Sequence, residues 1–172
     1  MKLTVRQTAV FAMLGALMFA TKKAMEFLPN IHLVGVFIVA ATVVYRVRAL
    51  YPLYLFVLLD GLLSGFSMWW VPYLYVWTVL WGAAMLLPRR LPPRIAPFVW
   101  GGVCGLHGLL FGVLYAPAQA LFFGLSFEGT LTWIAAGLPF DAIHGASNFV
   151  SGVLLIPPLV AVMRRVEKGT HE

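Results

Sequence analysis

Charged side chains are scarce in this sequence. Asp, Glu, Lys and Arg make up 10% of its 172 residues, against about 25% in typical soluble domains. The hydrophobic set makes up 62%, and apolar residues fall on every side of the predicted helices rather than on one stripe. Water would not keep such a surface in solution, so the composition excludes a soluble domain and predicts an all-α integral membrane protein.

Cysteine and recognisable catalytic motifs are also scarce. The one cysteine, Cys104, lies inside an apolar segment, which excludes a disulfide framework and a Cys-rich metal motif and favours a small buried hydrophobe. The sequence has no P-loop, no Gly-x-Ser-x-Gly and no His-Glu-x-x-His. It therefore indicates no enzyme class, catalytic residue, metal or cofactor, and energy for uphill transport would have to come from another subunit or an ion gradient.

Basic residues outnumber acidic ones by 12 to 6, but they do not form the Lys/Arg stripe that is typical of nucleic-acid binding. They occur in short connectors between apolar segments. A bilayer core about 30 Å thick needs about 20 apolar residues per helix, and Pro and Gly divide the chain into six segments of about that size. The predicted spans, all in a single membrane domain 1–172, are 4–27, 31–47, 50–66, 70–87, 97–124 and 132–163. The last two could be tilted, or broken near Pro117 and Pro139.

The positions of the basic residues predict the orientation of these spans. Ten of the 12 occur at alternate connectors: Lys2, Arg6, Arg46, Arg48, Arg89, Arg90, Arg94, Arg164, Arg165 and Lys168. The opposite side holds only Lys22 and Lys23. Because cytoplasmic connectors of membrane proteins collect Lys and Arg, we expect a polytopic membrane protein with six transmembrane helices, with N and C termini cytoplasmic, in the cell membrane.

Small residues recur along two of the predicted helices. Ala12, Ala16 and Ala20 are spaced every four residues in the first span and form a flat ridge that another helix can approach closely. The pattern favours packing against one of the chain's own helices, but it does not distinguish this from docking of a separate membrane subunit. A similar ridge in the fifth span favours internal packing; it consists of Gly101, Gly102, Gly105, Gly108 and Gly112.

Polar side chains at membrane depth are costly unless they are paired or line a wet cavity, so each is a candidate site residue. Asp141, His144 and Asn148 are spaced i, i+3 and i+7, which places them on one helix face. His107 lies near the middle of the fifth span, and Gln119 and Asp60 lie in the outer halves of theirs. We expect these residues to converge on a pocket that opens to the outside. For the face with Asp141, His144 and Asn148, a hydrogen-bonded helix clamp without a ligand explains the pattern as well. His107 is alternatively a satisfied interior histidine, and Asp60 alternatively caps or pairs near the interface.

Aromatic residues are concentrated between Met68 and Trp77. An interfacial aromatic belt is one explanation. The other is a set of walls, formed by Trp70, Tyr73 and Trp77, for a flat heterocyclic molecule. Lys22 and Lys23 are expected to extend outward to the interface, or to present a cation to a ligand, and Glu26 is placed to pair with either lysine.

These features together resemble the substrate-binding S component of an energy-coupling factor (ECF) type vitamin transporter. The resemblance rests on the small chain, the six spans with cytoplasmic ends and the ridge Ala12-x-x-x-Ala16-x-x-x-Ala20. It implies a membrane subunit that binds a vitamin or vitamin precursor in its outward half. It also implies docking, through the alanine ridge, on a transmembrane coupling subunit driven by two ATPase subunits. The connectors Glu26 to His32 and Ser67 to Tyr73 would then be gates.

The leading hypothesis is accordingly a transport subunit without enzymatic activity. Its substrate-binding residues would be Asp141, His144, Asn148, Gln119 and His107 as hydrogen-bonding groups and Trp70, Tyr73 and Trp77 as walls. The alternatives are an intramembrane metal-binding protein or enzyme that uses His107, Asp141 and His144, and a membrane scaffold in which polar groups only clamp helices.

Overall fold

The computed structural model describes residues 3–168. Over that range every regular element is helical, so the predicted all-α class is confirmed. Seven α-helices and one 3₁₀ turn follow in order: α1 Val5–Ala24, α2 Val34–Tyr45, the turn Arg46–Ala49, α3 Leu50–Ser64, α4 Tyr73–Met85, α5 Ala96–Leu109, α6 Phe111–Phe123 and α7 Phe127–Lys168.

Local sequence explains several of the helix ends. At the start of α1, Gln7 donates its backbone N–H to Thr4 Oγ1 and Thr4 donates its backbone N–H to Gln7 Oε1, both at 3.2 Å, which is a capping box. α3 and α6 end at Gly65 and Gly124, whose φ angles of 92° and 61° lie in the left-handed region that glycine adopts without strain. α3 thus ends two residues before the predicted end of the third span at 66.

α1 and α3 lie side by side and run in the same direction. Phe11 stacks on Tyr51 with 5.9 Å between ring centroids, Gly15 contacts Leu55, and further along both helices Lys22 pairs with Asp60. These contacts occur in the same order along both helices.

α2 and α3 are joined by a sharp reversal. It begins at Arg46, which has a φ of 55° and donates a guanidinium N–H to the carbonyl of Met85 at 2.6 Å. Trp77 contacts both His32, just before α2, and Phe56, near the middle of α3, and Asp60 further along α3 pairs with Lys22 near the end of α1. α3 therefore returns to the end of the molecule at which α2 begins. α2 itself is central, since every residue from Val34 to Thr42 is buried.

α5 and α7 are antiparallel and approach each other through glycines. A Cβ atom on Gly101 would lie 2.9 Å from the carbonyl oxygen of Phe149, and one on Gly152 would lie 2.7 Å from the Cα of Gly101. Such close backbone approach needs small residues on both helices. The predicted packing role of the α5 glycine ridge is confirmed, except that Gly102 faces open space.

The fifth segment is interrupted at Leu110, between α5 and α6, and not at Pro117, which lies within α6. Both carboxylate oxygens of Asp141 accept the backbone N–H of Gly112, at 3.2 and 3.1 Å. Because Gly112 is the second residue of α6, this carboxylate lies against the partial positive charge of a helix N-terminus. α7 continues through Pro139. The breaks considered near Pro117 and Pro139 are therefore wrong, since a helix continues through each proline. The interruption lies instead at Leu110, beside the backbone N–H that Asp141 caps.

The helices run alternately between two ends of the molecule. At the end that we call the arginine end, Tyr45 donates its hydroxyl to the carbonyl of Met163 at 3.4 Å, and the 3₁₀ turn meets the end of α4. At the opposite end, the aromatic end, Tyr115 donates its hydroxyl to the carbonyl of Trp69. The connectors α1–α2, α3–α4 and α6–α7 all lie at the aromatic end.

Three helical stretches of the described chain are long and apolar enough to cross a membrane: Val34–Ser64, which comprises α2, the turn and α3, then Ala96–Phe123 and Phe127–Lys168. α4 is a shorter apolar helix. The helix ends lie within a few residues of the predicted spans, and the largest difference is at α7, which begins five residues before the expected 132 and ends five after 163.

Candidate ligand-binding site

A cluster of rings lies where the start of α2 meets α4, α5, α6 and α7. Trp77 is at its centre, with its ring centroid 5.7 Å from that of His32 and 5.6 Å from those of His107 and Phe111. His144 lies 4.8 Å from His32 and 5.0 Å from Phe111. Asn148 adjoins His144, since both side chains contact Gly108. We define the ring cluster as His32, Trp77, His107, Phe111, His144 and Asn148.

The polar face of α7 is formed as the spacing predicts. Asp141, His144 and Asn148 all point into the protein, with 8%, 3% and 1% of their surfaces exposed. α7 packs here against α5, α6 and the beginning of α2. The sequence pattern thus identified the face correctly.

Five buried polar atoms of the ring cluster have no hydrogen-bond partner: His32 Nδ1, Trp77 Nε1, His107 Nδ1, His144 Nε2 and Asn148 Nδ2. In the described chain only two other buried side-chain nitrogen or oxygen atoms lack a hydrogen-bond partner, Arg46 Nε and Arg48 Nε at the arginine end. A buried polar group without a partner costs about 1–3 kcal/mol, so native proteins contain few of them. Their concentration in one cluster indicates a site for a polar molecule.

The hydrogen-bonding character of three of these atoms follows from their chemistry. Trp77 Nε1 and Asn148 Nδ2 carry hydrogen and can only donate. His107 Nε2 lies 3.0 Å from the carbonyl oxygen of Val76, which can only accept, so this nitrogen carries the proton. Nδ1 of the neutral ring is then an acceptor. The cluster therefore suits a molecule that presents both acceptors and donors.

Two adjoining cavities lead from the aromatic end to the ring cluster. The larger, about 550 Å³, is lined by Trp69, Tyr73, Phe111 and Tyr115, with Lys22 beside them. The smaller, about 180 Å³, lies under the α1–α2 connector, residues 25–33, and is lined by His32 and His144. Tyr73 and Phe111 line both. The larger cavity falls within the range of about 300–1,000 Å³ that is usual for small-molecule sites.

Lys22 points into the protein, which corrects the expectation that it extends outward. Its Nζ lies 2.7 Å from Asp60 Oδ2, and the Asp60 side chain is fully buried. The ammonium also lies 5.4 Å and 5.3 Å from the ring centroids of Trp69 and Tyr73, where cation–π attraction adds to the ion pair. Burying a carboxylate without a partner is so costly that it draws the lysine inward.

Lys23 behaves as expected. It forms an exposed ion pair with Glu26 at 3.0 Å. Glu26 therefore pairs with one of the two lysines, as the sequence predicted.

The predicted wall and polar residues divide into two groups. Trp77, His107, His144 and Asn148 belong to the ring cluster, and Tyr73 lines both cavities. The other three are not members of the cluster. Asp141 adjoins it, but its carboxylate is bonded to Gly112. Trp70 donates its indole N–H to the carbonyl of Val57 at 2.7 Å, and Gln119 lies eight residues beyond Phe111 on α6, about 12 Å along the helix.

Two residues of the site were not among the predicted binding residues. His32 was considered only as part of a gate, and Phe111 was not considered. Both reach the cluster because the α1–α2 connector and the α5–α6 joint fold against α7. No local sequence pattern marks such an approach, since it depends on the placement of three separate elements.

The alanine ridge of α1 lies on the outer surface of the protein. Ala12, Ala16 and Ala20 are exposed, whereas the opposite face of α1, with Gly15 and Met18, is buried against the other helices. Internal packing of the ridge is therefore wrong. Cys104 is buried, as expected.

No protein-family model, curated protein or solved structure matches this chain. The resemblance to ECF S components therefore stays a prediction, and the geometry of the site is the basis for assigning a function. Among residues 3–168, no group of three or more His, Cys, Asp or Glu side chains is arranged to hold a metal ion.

Proposed function

We propose that this chain is a multi-pass protein of a prokaryotic plasma membrane with six spans, formed by α1, α2, α3, α4, α5 together with α6, and α7. Nine of the 11 basic residues in the described chain lie at the arginine end, where Gln7 at the start of α1 bonds to Glu167 near the end of α7: Arg6, Arg46, Arg48, Arg89, Arg90, Arg94, Arg164, Arg165 and Lys168. The positive-inside tendency supports a cytoplasmic arginine end. Both termini would then be cytoplasmic, and the cavities would open to the outside.

We further propose that the protein is the substrate-binding S component of an ECF-type ABC importer. It would bind a small vitamin or vitamin-like heterocycle from outside and deliver it through a transmembrane coupling subunit with two ATPase subunits. The observation that carries this proposal is the set of five unpartnered polar atoms in the ring cluster, directly below cavities that open at the end with few basic residues.

The chemistry of the cluster supports a flat heterocycle as the ligand. Phe111 stacks on His144, with 21° between the ring planes, and on Tyr115, with 29°. Side chains arranged in this way present flat apolar surfaces. Trp77 Nε1 and Asn148 Nδ2 would donate to ring nitrogens or carbonyl oxygens of the ligand, and His107 Nδ1 would accept from an N–H or O–H group.

The exposed alanine ridge supports docking of a coupling subunit. Ala12, Ala16 and Ala20 give α1 a flat outer strip without large side chains, and small residues favour close approach of helices in a membrane. Since the opposite face of α1 already packs on α3, a second helix at this strip would not compete with the internal packing.

A ligand screen tests the binding proposal. Purified protein in detergent is warmed with individual vitamins, and we expect one class to raise its unfolding temperature. His144→Ala should weaken binding of that ligand by at least about tenfold, which corresponds to one lost hydrogen bond. Thr132→Ala is the matched control, because Thr132 lies exposed on the same helix. Failure of every vitamin to bind, or equal affinity of both variants, would contradict the proposal.

A second experiment tests the docking proposal separately. Ala16→Trp places a large ring on the alanine ridge, and Leu154→Trp places one on α7, where Leu154 is 65% exposed. Both variants should bind ligand normally. Only Ala16→Trp should fail to co-purify with a coupling subunit and to support uptake in cells. Normal uptake by Ala16→Trp would exclude the ridge as the docking surface.

The two alternatives have less support. For an intramembrane metal protein or enzyme, Asp141 would have to join His107 and His144, but its carboxylate is bonded to Gly112. For a scaffold, the polar groups would have to bond across helices, and Nε2 of His144 and Nδ2 of Asn148 do not.

A further inference from the structure

A separate cavity of about 530 Å³ lies at the arginine end, remote from the ring cluster. The α4–α5 connector, the start of α5 and the last third of α7 enclose it. Arg89, Arg90 and Arg164 line it together with apolar side chains, among them Trp100 and Val160.

The charges around this cavity are of one sign. None of its described lining residues is acidic, and none of the three arginines forms an ion pair within residues 3–168. α5 begins at the cavity, with Ala96 and Pro97 in its wall, and a helix N-terminus adds partial positive charge. All three arginines are exposed at this end, and an anion held in the cavity would be attracted by each of them.

The apolar part of the lining restricts the kind of anion. Four prolines line the cavity together with the arginines, and we call them the proline wall: Pro88, Pro93, Pro97 and Pro157. Leu91 and Val43 are also part of the lining. Guanidinium groups bind phosphate oxygens in a planar, bidentate manner. The apolar lining residues cannot form hydrogen bonds with a free, fully hydrated anion. A molecule that carries a phosphate next to hydrocarbon would satisfy both parts.

We propose that this cavity binds the headgroup phosphate of an anionic phospholipid, with the start of an acyl chain against the proline wall. Basic pockets between helices on the cytoplasmic side of membrane proteins suit such headgroups. The inference rests on the proposed membrane orientation. It does not depend on the transport of a vitamin.

Two triple variants test the site. Arg89→Gln, Arg90→Gln and Arg164→Gln together remove the three lining charges. Arg94→Gln, Arg165→Gln and Lys168→Gln remove three exposed charges at the same end that do not line the cavity. Binding of phosphatidylglycerol, phosphatidylcholine and inorganic phosphate to protein in a neutral detergent is measured by native mass spectrometry and by competition.

We expect the unaltered protein to bind phosphatidylglycerol selectively. A basic residue near an anionic lipid contributes roughly a fivefold factor in affinity, so the lining variant should bind this lipid about a hundredfold more weakly. The control variant should change by much less. Phosphatidylcholine should bind weakly to all three proteins, and inorganic phosphate should not displace phosphatidylglycerol at millimolar concentration.

Equal losses in the two variants would show general charge attraction and overturn the inference. Displacement by inorganic phosphate would reassign the site to a soluble anion and overturn the lipid assignment. If the lining variant does not fold, the single substitution Arg164→Gln, at an exposed position of α7, must still lower the affinity for phosphatidylglycerol about fivefold. Vitamin binding, measured on the same preparations, should be unchanged in both variants, so a failure of either proposal can be recognised separately.

Discussion

The buried polar residues of this protein differ in whether the protein itself satisfies them. Asp60 accepts from Lys22 and Asp141 accepts from Gly112, so each has a structural role without any ligand. Trp77, His144 and Asn148 each keep a buried polar atom without a partner. Since such atoms lower stability, their presence in a binding site is explained by the partner that a ligand supplies.

Asn148 provides a test of this distinction. Asn148→Leu replaces the amide with an apolar group of similar size and removes the unpartnered donor. We expect the unfolding free energy without ligand to be unchanged or higher by up to about 1 kcal/mol, and ligand affinity to fall by at least about tenfold. The measurements are thermal unfolding in detergent and ligand titration. A clear loss of stability with unchanged affinity would instead identify Asn148 as a helix clamp.

The two lysine pairs at the aromatic end should differ in strength. Asp60→Asn leaves Lys22 next to a neutral amide in a site where the carboxylate is fully buried, and we expect a loss of about 3 kcal/mol. Glu26→Gln breaks the exposed pair with Lys23 and should cost less than about 1 kcal/mol. Thermal unfolding of the two variants in the same detergent compares them. Equal shifts would show that the Lys22–Asp60 pair adds nothing beyond a surface contact.

At the scale of helices, the α5–α7 contact and the α5–α6 joint hold the site together. Close approach of α5 and α7 brings both His107 and His144 into contact with Phe111. The joint at Leu110, capped by Asp141, turns α6 so that Phe111 and Tyr115 face the larger cavity. Proline content alone misplaced this joint, because a carboxylate from a different helix sets it.

Adjacent glycines on α5 offer a matched test of the α5–α7 contact. A Cβ on Gly101 would lie within 3 Å of Val153 and of the Phe149 carbonyl, whereas nothing lies within 4 Å of one on Gly102. Gly101→Ala should destabilise the protein by about 1–3 kcal/mol through overpacking, and Gly102→Ala should be neutral or slightly stabilising. Thermal unfolding again provides the comparison. Similar effects of the two substitutions would mean that α5 and α7 are further apart than described.

At the scale of the whole molecule, its two ends have different functions in our proposals. The aromatic end carries the cavities for a heterocycle, and the arginine end carries a cavity for a lipid phosphate. α2 is buried along most of its length and runs from one end to the other. This division depends on the orientation of the protein in the membrane.

Single cysteines placed in two connectors test that orientation. Ser67→Cys lies at the aromatic end and Pro92→Cys at the arginine end, both at exposed positions, and native Cys104 is buried. An impermeant maleimide should label Ser67→Cys in intact cells and Pro92→Cys only after the membrane is opened. Labelling of Pro92→Cys in intact cells would invert the orientation and place the ring cluster on the cytoplasmic side.

The sequence by itself determined the helical class, the approximate ends of the helices and the polar face of α7. These depend on apolar run length, helix breakers such as Gly65 and spacing along one helix, all of which are local. Only the tertiary structure decided that Lys22 turns inward to Asp60, that Asp141 caps α6, that the alanine ridge is exposed and that His32 and Phe111 join the site. Whether a buried polar group finds a partner depends on residues far away in the chain, such as Gly112 for Asp141. A local sequence pattern does not show which distant residues lie nearby in the folded protein.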